Sequence, residues 1–117
     1  MNLQQIENLQ QIAPDIFISA QITLENIKTL AQADFKTIIC NRPDQEDPHQ
    51  PDFSIIKAAA HHYGIKAYHI PIVPPTIKKS EIETMKTILK TASTPLLAYC
   101  RHGTRSIHLY RLACISS

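Results

Sequence analysis

The sequence predicts an α/β fold of three layers, with helices covering both faces of a largely parallel central sheet. Short apolar and β-branched runs alternate with segments of helical period, and Gly or Pro punctuates the joins. Strands joined through helices pair in parallel, and right-handed crossovers place those helices on both faces. A chain of 117 residues has room for one core and not two, so residues 1–117 are expected to form a single domain.

The elements follow in order. Asp15-Ile16-Phe17-Ile18-Ser19 is the first strand, and Thr23 caps a helix whose Leu24, Ile27, Leu30 and Ala31 fall at helical spacing. Lys36-Thr37-Ile38-Ile39-Cys40 has the β-branched character of a buried parallel strand. The turn-rich stretch Asn41 to Pro51 is the longest loop. A helix from about Phe53 to Tyr63 stops at Gly64, and Ile65 to Ile70 forms the next strand. Pro71, Pro74 and Pro75 forbid regular structure. Ser80 with Glu83 forms a capping-box pattern for a helix through Ile82, Met85, Ile88 and Leu89. Pro95 introduces the strand Leu96 to Tyr99, and the last helix starts near Thr104. That helix is expected to end before Ser116-Ser117, so the domain reads as cut short, with Leu109 and Leu112 left partly uncovered.

Composition narrows the setting. A net charge of +2 without a long basic run points to neither nucleic acid nor an anionic membrane. No segment approaches the roughly 18 apolar residues of a membrane span, and the N-terminus lacks a signal-peptide layout, so the expectation is a soluble, cytoplasmic protein. Cys40, Cys100 and Cys114 are odd in number and lack metal-type pairing, which makes reduced thiols the default. Neither a metal nor a cofactor is called for. His61 and His62 are adjacent and face different sides of a helix, and His69 at a strand end suits a structural hydrogen bond.

The chemistry concentrates in Cys100-Arg101-His102-Gly103-Thr104-Arg105-Ser106, directly after the apolar run Leu96 to Tyr99. A strand ending in cysteine, a glycine turn and a new helix aim backbone N–H groups and a thiol at one point, a seat for an oxyanion. A helix N-terminus beside guanidinium groups favours the thiolate, which makes Cys100 a nucleophile. Arg105 returns over the loop on the first helical turn, where its fork can hold two oxygens of a phosphate, sulfate or thiosulfate. Gly103 permits the inward turn of the amides. Ser106 can offer its hydroxyl to the departing sulfur, Arg101 adds positive charge or faces solvent, and His102 and Thr104 complete the cradle. In parallel sheets ligands collect beyond the carboxyl ends of the strands, so Asn41 to Gln50, Pro71 to Ser80 and Cys100 to Arg105 should share one pocket. Arg42 is placed to steer an anion and Asp44 to border it, although Arg42-Pro43-Asp44 also suits a turn locked by its own ion pair. Cys40 suits the core, or a resolving thiol near Cys100.

Three stretches together resemble a known family: Ile39-Cys40-Asn41-Arg42-Pro43-Asp44, Ala67-Tyr68-His69-Ile70-Pro71 and Tyr99 to Ser106. They are similar to the phosphatase-like domain of the beta-lactamase hydrolase-like proteins, over a span from about Leu9 to Ala113. The resemblance implies the fold of the cysteine-dependent tyrosine and dual-specificity phosphatases, with Cys100 as nucleophile of a covalent intermediate and Arg105 as anion binder. Family members occur alone or fused to metallo-beta-lactamase-like sulfur dioxygenase domains, which implies such a dioxygenase as a functional partner.

Two departures keep the reaction open. Tyr99 stands where tyrosine phosphatases carry histidine, and the Cys100-to-Arg105 loop is one residue shorter than theirs. Cys-Arg-x-Gly-x-Arg is the active-loop pattern of many rhodanese sulfurtransferases, which hold sulfur as a cysteine persulfide. The loop Pro71 to Ile77 also lacks the acidic residue that the related phosphatases use to protonate a leaving group, leaving Asp44, Glu46 or Asp47 as substitutes. Three readings stand: a phosphatase-like hydrolase of a phosphate-type oxyanion, placed first because the resemblance spans the chain; a sulfurtransferase; and an inactive anion-binding domain.

Overall fold

The computed structural model describes residues 3–115 and contains five strands and four α-helices. In chain order these are β1 (Gln10–Ala13), β2 (Ile16–Ser19), α1 (Leu24–Gln32), β3 (Thr37–Cys40), α2 (Phe53–His62), β4 (Lys66–His69), α3 (Lys79–Thr91), β5 (Leu96–Tyr99) and α4 (Thr104–Ile115). The sheet order is β1-β2-β5-β3-β4, with every pair parallel except β1 against β2. The chain crosses the sheet from β2 through β3 to β4 with α1 and α2 on one face. It then returns from β4 to β5 with α3, followed by α4, on the other, as crossovers of one handedness require.

Alternation along the buried strands builds two cores. Ile38, Cys40, Leu97 and Tyr99 point to Ile27 and Leu30 of α1 and Ile56 and Ala60 of α2. Ile39, Leu96 and Ala98 point to Met85 and Ile88 of α3 and Leu109 and Ala113 of α4. Both faces of β3 and β5 are thus apolar, which explains why their sequences run hydrophobic without alternation.

The helix ends follow local chemistry. Thr23 Oγ1 accepts the Asn26 N–H and Asn26 Oδ1 accepts the Thr23 N–H, a reciprocal cap. At the far end of α2, Gly64 at φ +75° lets the Ile65 N–H reach the Ala60 carbonyl and its own N–H reach that of His61. Asp34 takes the same left-handed role after α1, at φ +65°.

Several expectations are corrected. Gln10–Ala13 is an added antiparallel edge strand that its glutamine-rich sequence does not advertise. Helix α3 starts at Lys79, ahead of the expected Ser80 cap, because the Glu81 carboxylate accepts the Lys78 N–H at 2.7 Å. Leu109 is fully buried and Leu112 partly so, and it is Ile115 that stands out in water, because α4 turns Leu109 onto the sheet between β2 and α3. The expected stop at Ser116-Ser117 lies outside the described residues. Among the described residues no helix is long and apolar enough to cross a membrane.

Candidate active site

Strand β5 is central in the sheet, so its end delivers Cys100 to the middle of the carboxyl edge, the position where ligands of open α/β sheets collect. The chain then turns sharply and restarts as α4. Gly103 sits at φ +101°, and its N–H donates to Cys100 Sγ at 3.1 Å. A Cβ there would meet the Ser19 carbonyl oxygen at 3.4 Å, an ordinary contact, so it is the left-handed backbone that sets glycine at this position. The Gln21 N–H donates to the Arg101 carbonyl and fixes the outer side of the turn. Cys100 has no exposed surface.

Arg105 folds back from the first turn of α4. Its Nη1 donates to Glu46 Oε2 at 2.8 Å and to the Ile72 carbonyl at 3.1 Å, and its Nη2 donates to Glu46 Oε1 at 2.9 Å. A guanidinium has five N–H donors; these bonds use three and leave Nε–H and one Nη2–H, a second fork along the adjoining edge. Cys100 lies close enough to add to the rise of the Arg105 guanidinium pKa. Glu46 therefore holds the arginine by one edge of its guanidinium and leaves the other edge for an anion. Arg42 Nε bonds to the same Glu46 Oε1 at 3.0 Å, and its Nη1 bonds to Gln21 Oε1 at 3.0 Å. The Arg105 hydrogen bonds, with Arg42 behind them, hold the Glu46 carboxyl below its ordinary range, while the same pair pushes the Arg105 guanidinium up.

The neighbouring loops are stitched into this site. Asn41 Nδ2 donates to the Ile70 carbonyl, and the Ile72 N–H donates to the Asn41 carbonyl. His69 Nε2 lies 2.9 Å from the Arg42 carbonyl, and its ring stacks on Phe53. The three loops after β3, β4 and β5 meet at Arg105, as the topology predicted.

The remaining expected residues divide. Ser106 is buried on the inner side, and its Oγ has no hydrogen-bond partner among the described residues. Arg101, His102 and Thr104 are exposed, on the outward side of the turn. Arg42 is buried and its ion pair is with Glu46, not Asp44. Asp44 accepts the Phe53 N–H at 2.8 Å at the start of α2. Cys40 lies in the core, where burial raises its pKa above all other effects and its thiol donates to the Arg42 carbonyl. Tyr99, the residue in the place of histidine, is buried beside it; burial pushes its phenol far up, with Cys40 adding to the rise. Glu46 as the residue that orients Arg105 escaped the sequence reading. Its one signal was the four-residue step from Arg42, common in helices and uninformative in a proline-bounded loop.

A central strand ending in cysteine, a glycine turn over the sulfur and an arginine folded back from the next helix define a phosphatase-like domain of the cysteine-dependent fold class. The chain belongs to the beta-lactamase hydrolase-like protein family, as its phosphatase-like domain: that family's model matches residues 8–116. A beta-lactamase hydrolase-like protein of Agrobacterium fabrum is 36% identical over 95 residues, which is 81% of this chain and 22% of that protein. The chain thus spans about a fifth of its curated relatives. A solved structure from Neisseria meningitidis, described as a candidate phosphatase, matches with TM-score 0.78 and 40% identity over 86% of this chain and 71% of that one. A second from Shewanella putrefaciens, at TM-score 0.83 and 21% identity over 95% of this chain and 72% of that one, has the same fold.

Proposed function

We propose that the domain is a phosphatase-like hydrolase that forms a phosphocysteine at Cys100. The observation that carries this reading is the Gly103 N–H donated to the Cys100 sulfur beside an arginine that Glu46 holds by one edge, leaving the other edge for two oxygens of an anion. Such donors stabilise charge that builds on equatorial oxygens during phosphoryl transfer. The Cys100 thiolate attacks phosphorus, forming an S–P bond as the bond to the leaving oxygen breaks. Water then attacks the phosphocysteine; the S–P bond breaks, phosphate leaves with the protons of that water, and the electron pair returns to sulfur. The Ser106 hydroxyl, buried and without a hydrogen-bond partner among the described residues, is our candidate donor to the sulfur as it leaves. The identity to the Neisseria candidate phosphatase supports this reading.

A second reading is favoured by loop length. With four residues between Cys100 and Arg105, the loop matches the Cys-Arg-x-Gly-x-Arg sulfurtransferase pattern without a gap. In that reading Cys100 takes the outer sulfur of thiosulfate, releases sulfite and passes the sulfur to an acceptor thiolate, and a metallo-beta-lactamase-like sulfur dioxygenase is the functional partner.

One comparison separates the readings: purified protein and Cys100→Ser, each assayed with 4-nitrophenyl phosphate and with thiosulfate plus cyanide. Phosphate release lost in Cys100→Ser is the expected result. Thiocyanate without phosphate release would replace the hydrolase by the sulfurtransferase, and silence in both assays would leave an anion-binding domain.

A further inference from the structure

We propose that this site transfers only phosphoryl groups whose leaving oxygen is already stable as an anion, such as phosphoanhydrides and acyl phosphates. The proposal rests on the hydrolase reading above and narrows its substrate class. Expelling an alkoxide requires a proton from a group within hydrogen-bond reach, an effect worth about 10²–10⁴ in rate. Among the described residues, no carboxyl or imidazole is hydrogen-bonded to the sulfur, and the carboxyls on the adjoining loops bond elsewhere.

The loop that approaches Arg105 from β4, Ile70 to Ile77, contains no carboxyl group, although its Ile72 carbonyl touches Arg105 directly. Glu46 is the carboxylate that does reach the site, and both its oxygens are engaged by two guanidinium groups. Flanking cations favour the ionised form, which has no proton to give. Asp44 is occupied with the Phe53 N–H, and Asp47 accepts the His49 N–H. Glu7 and Glu25 line a different cleft, with Gln21 and Asn26. His69 is bonded to the Arg42 carbonyl and stacked on Phe53, and His49 and His102 stand exposed on the outer side.

The step then balances without an acid. The Cys100 thiolate forms the S–P bond, the P–O bond breaks, and the leaving oxygen departs with the electron pair and no proton. A phosphate or carboxylate is stable as that anion; an alkoxide is not. The anion cradle supports the transferred phosphoryl oxygens equally in either case, so selectivity falls on the leaving group alone.

The test is the dependence of kcat/KM on leaving-group basicity, measured with substituted phenyl phosphates, acetyl phosphate and glycerol phosphate, with Cys100→Ser as the blank. Across the phenyl series kcat/KM should fall roughly tenfold for each unit by which the phenol pKa rises. Acetyl phosphate should be consumed and glycerol phosphate left intact. A flat dependence, or glycerol phosphate cleaved as readily as acetyl phosphate, would overturn the proposal while leaving the hydrolase standing. No turnover of any of these substrates, acetyl phosphate included, would overturn the hydrolase reading, and the proposal with it.

Discussion

Around Cys100 the sulfur accepts the Gly103 N–H, while the Ser106 hydroxyl lies buried without a partner among the described residues. A buried hydroxyl without a partner carries a desolvation penalty, so its removal should not weaken the fold. Ser106→Ala is expected to hold or raise stability by up to about 1 kcal/mol in chemical denaturation, while slowing breakdown of the covalent intermediate. A loss of stability would show that the hydroxyl is bonded in solution, and burst kinetics would report the slowed second step. That Cys100, Gly103, Arg105 and Ser106 share one turn was legible in the sequence because only six peptide links separate the first from the last. Glu46 was not, since its bond to Arg105 spans 59 positions and depends on how one loop lies across another.

At the level of elements, the loop between β5 and α4 is held by its backbone. Gly103 has a left-handed φ that side-chain-bearing residues rarely adopt, so a side chain there strains the turn. Gly103→Ala should cost about 1–3 kcal/mol in urea unfolding, and should lower activity further by turning its N–H away from sulfur. A variant as stable and active as the parent would mean that the turn relaxes freely. The helices show how local signals decide boundaries: Thr23 and Gly64 acted where expected, because a cap needs only its own turn. The start of α3 moved to Lys79 because two acidic residues competed for the cap, and Glu81 reached the Lys78 N–H. The edge strand β1 was hidden for another reason: its Gln10-Gln11 face is exposed and carries no apolar alternation, so only pairing with β2 defines it.

For the molecule as a whole, the clamp of Arg42, Glu46 and Arg105 ties the loop after β3 to the helix after β5, and it responds to acid. Arg105 holds the Glu46 carboxyl below its ordinary value of 4.5, so the native value lies below the unfolded one. The clamp's contribution to stability is then full above pH 4.5 and is lost as pH falls through the lowered native value. The difference in thermal midpoint between the parent and Glu46→Gln should be constant near neutral pH and close in acid; a gap unchanged through the acid range would count against the clamp. The sequence by itself determined the α/β class, most of the strands and helices, and the cysteine loop, because hydrophobic period, caps and turns are local properties. The tertiary structure alone decided that β5 lies between β2 and β3, which brings the loops at their ends together over one sulfur. It also decided that Glu46 orients Arg105 and that Asp44 caps a helix, because a carboxylate's role depends on which distant donors the packed sheet brings within 3 Å of it.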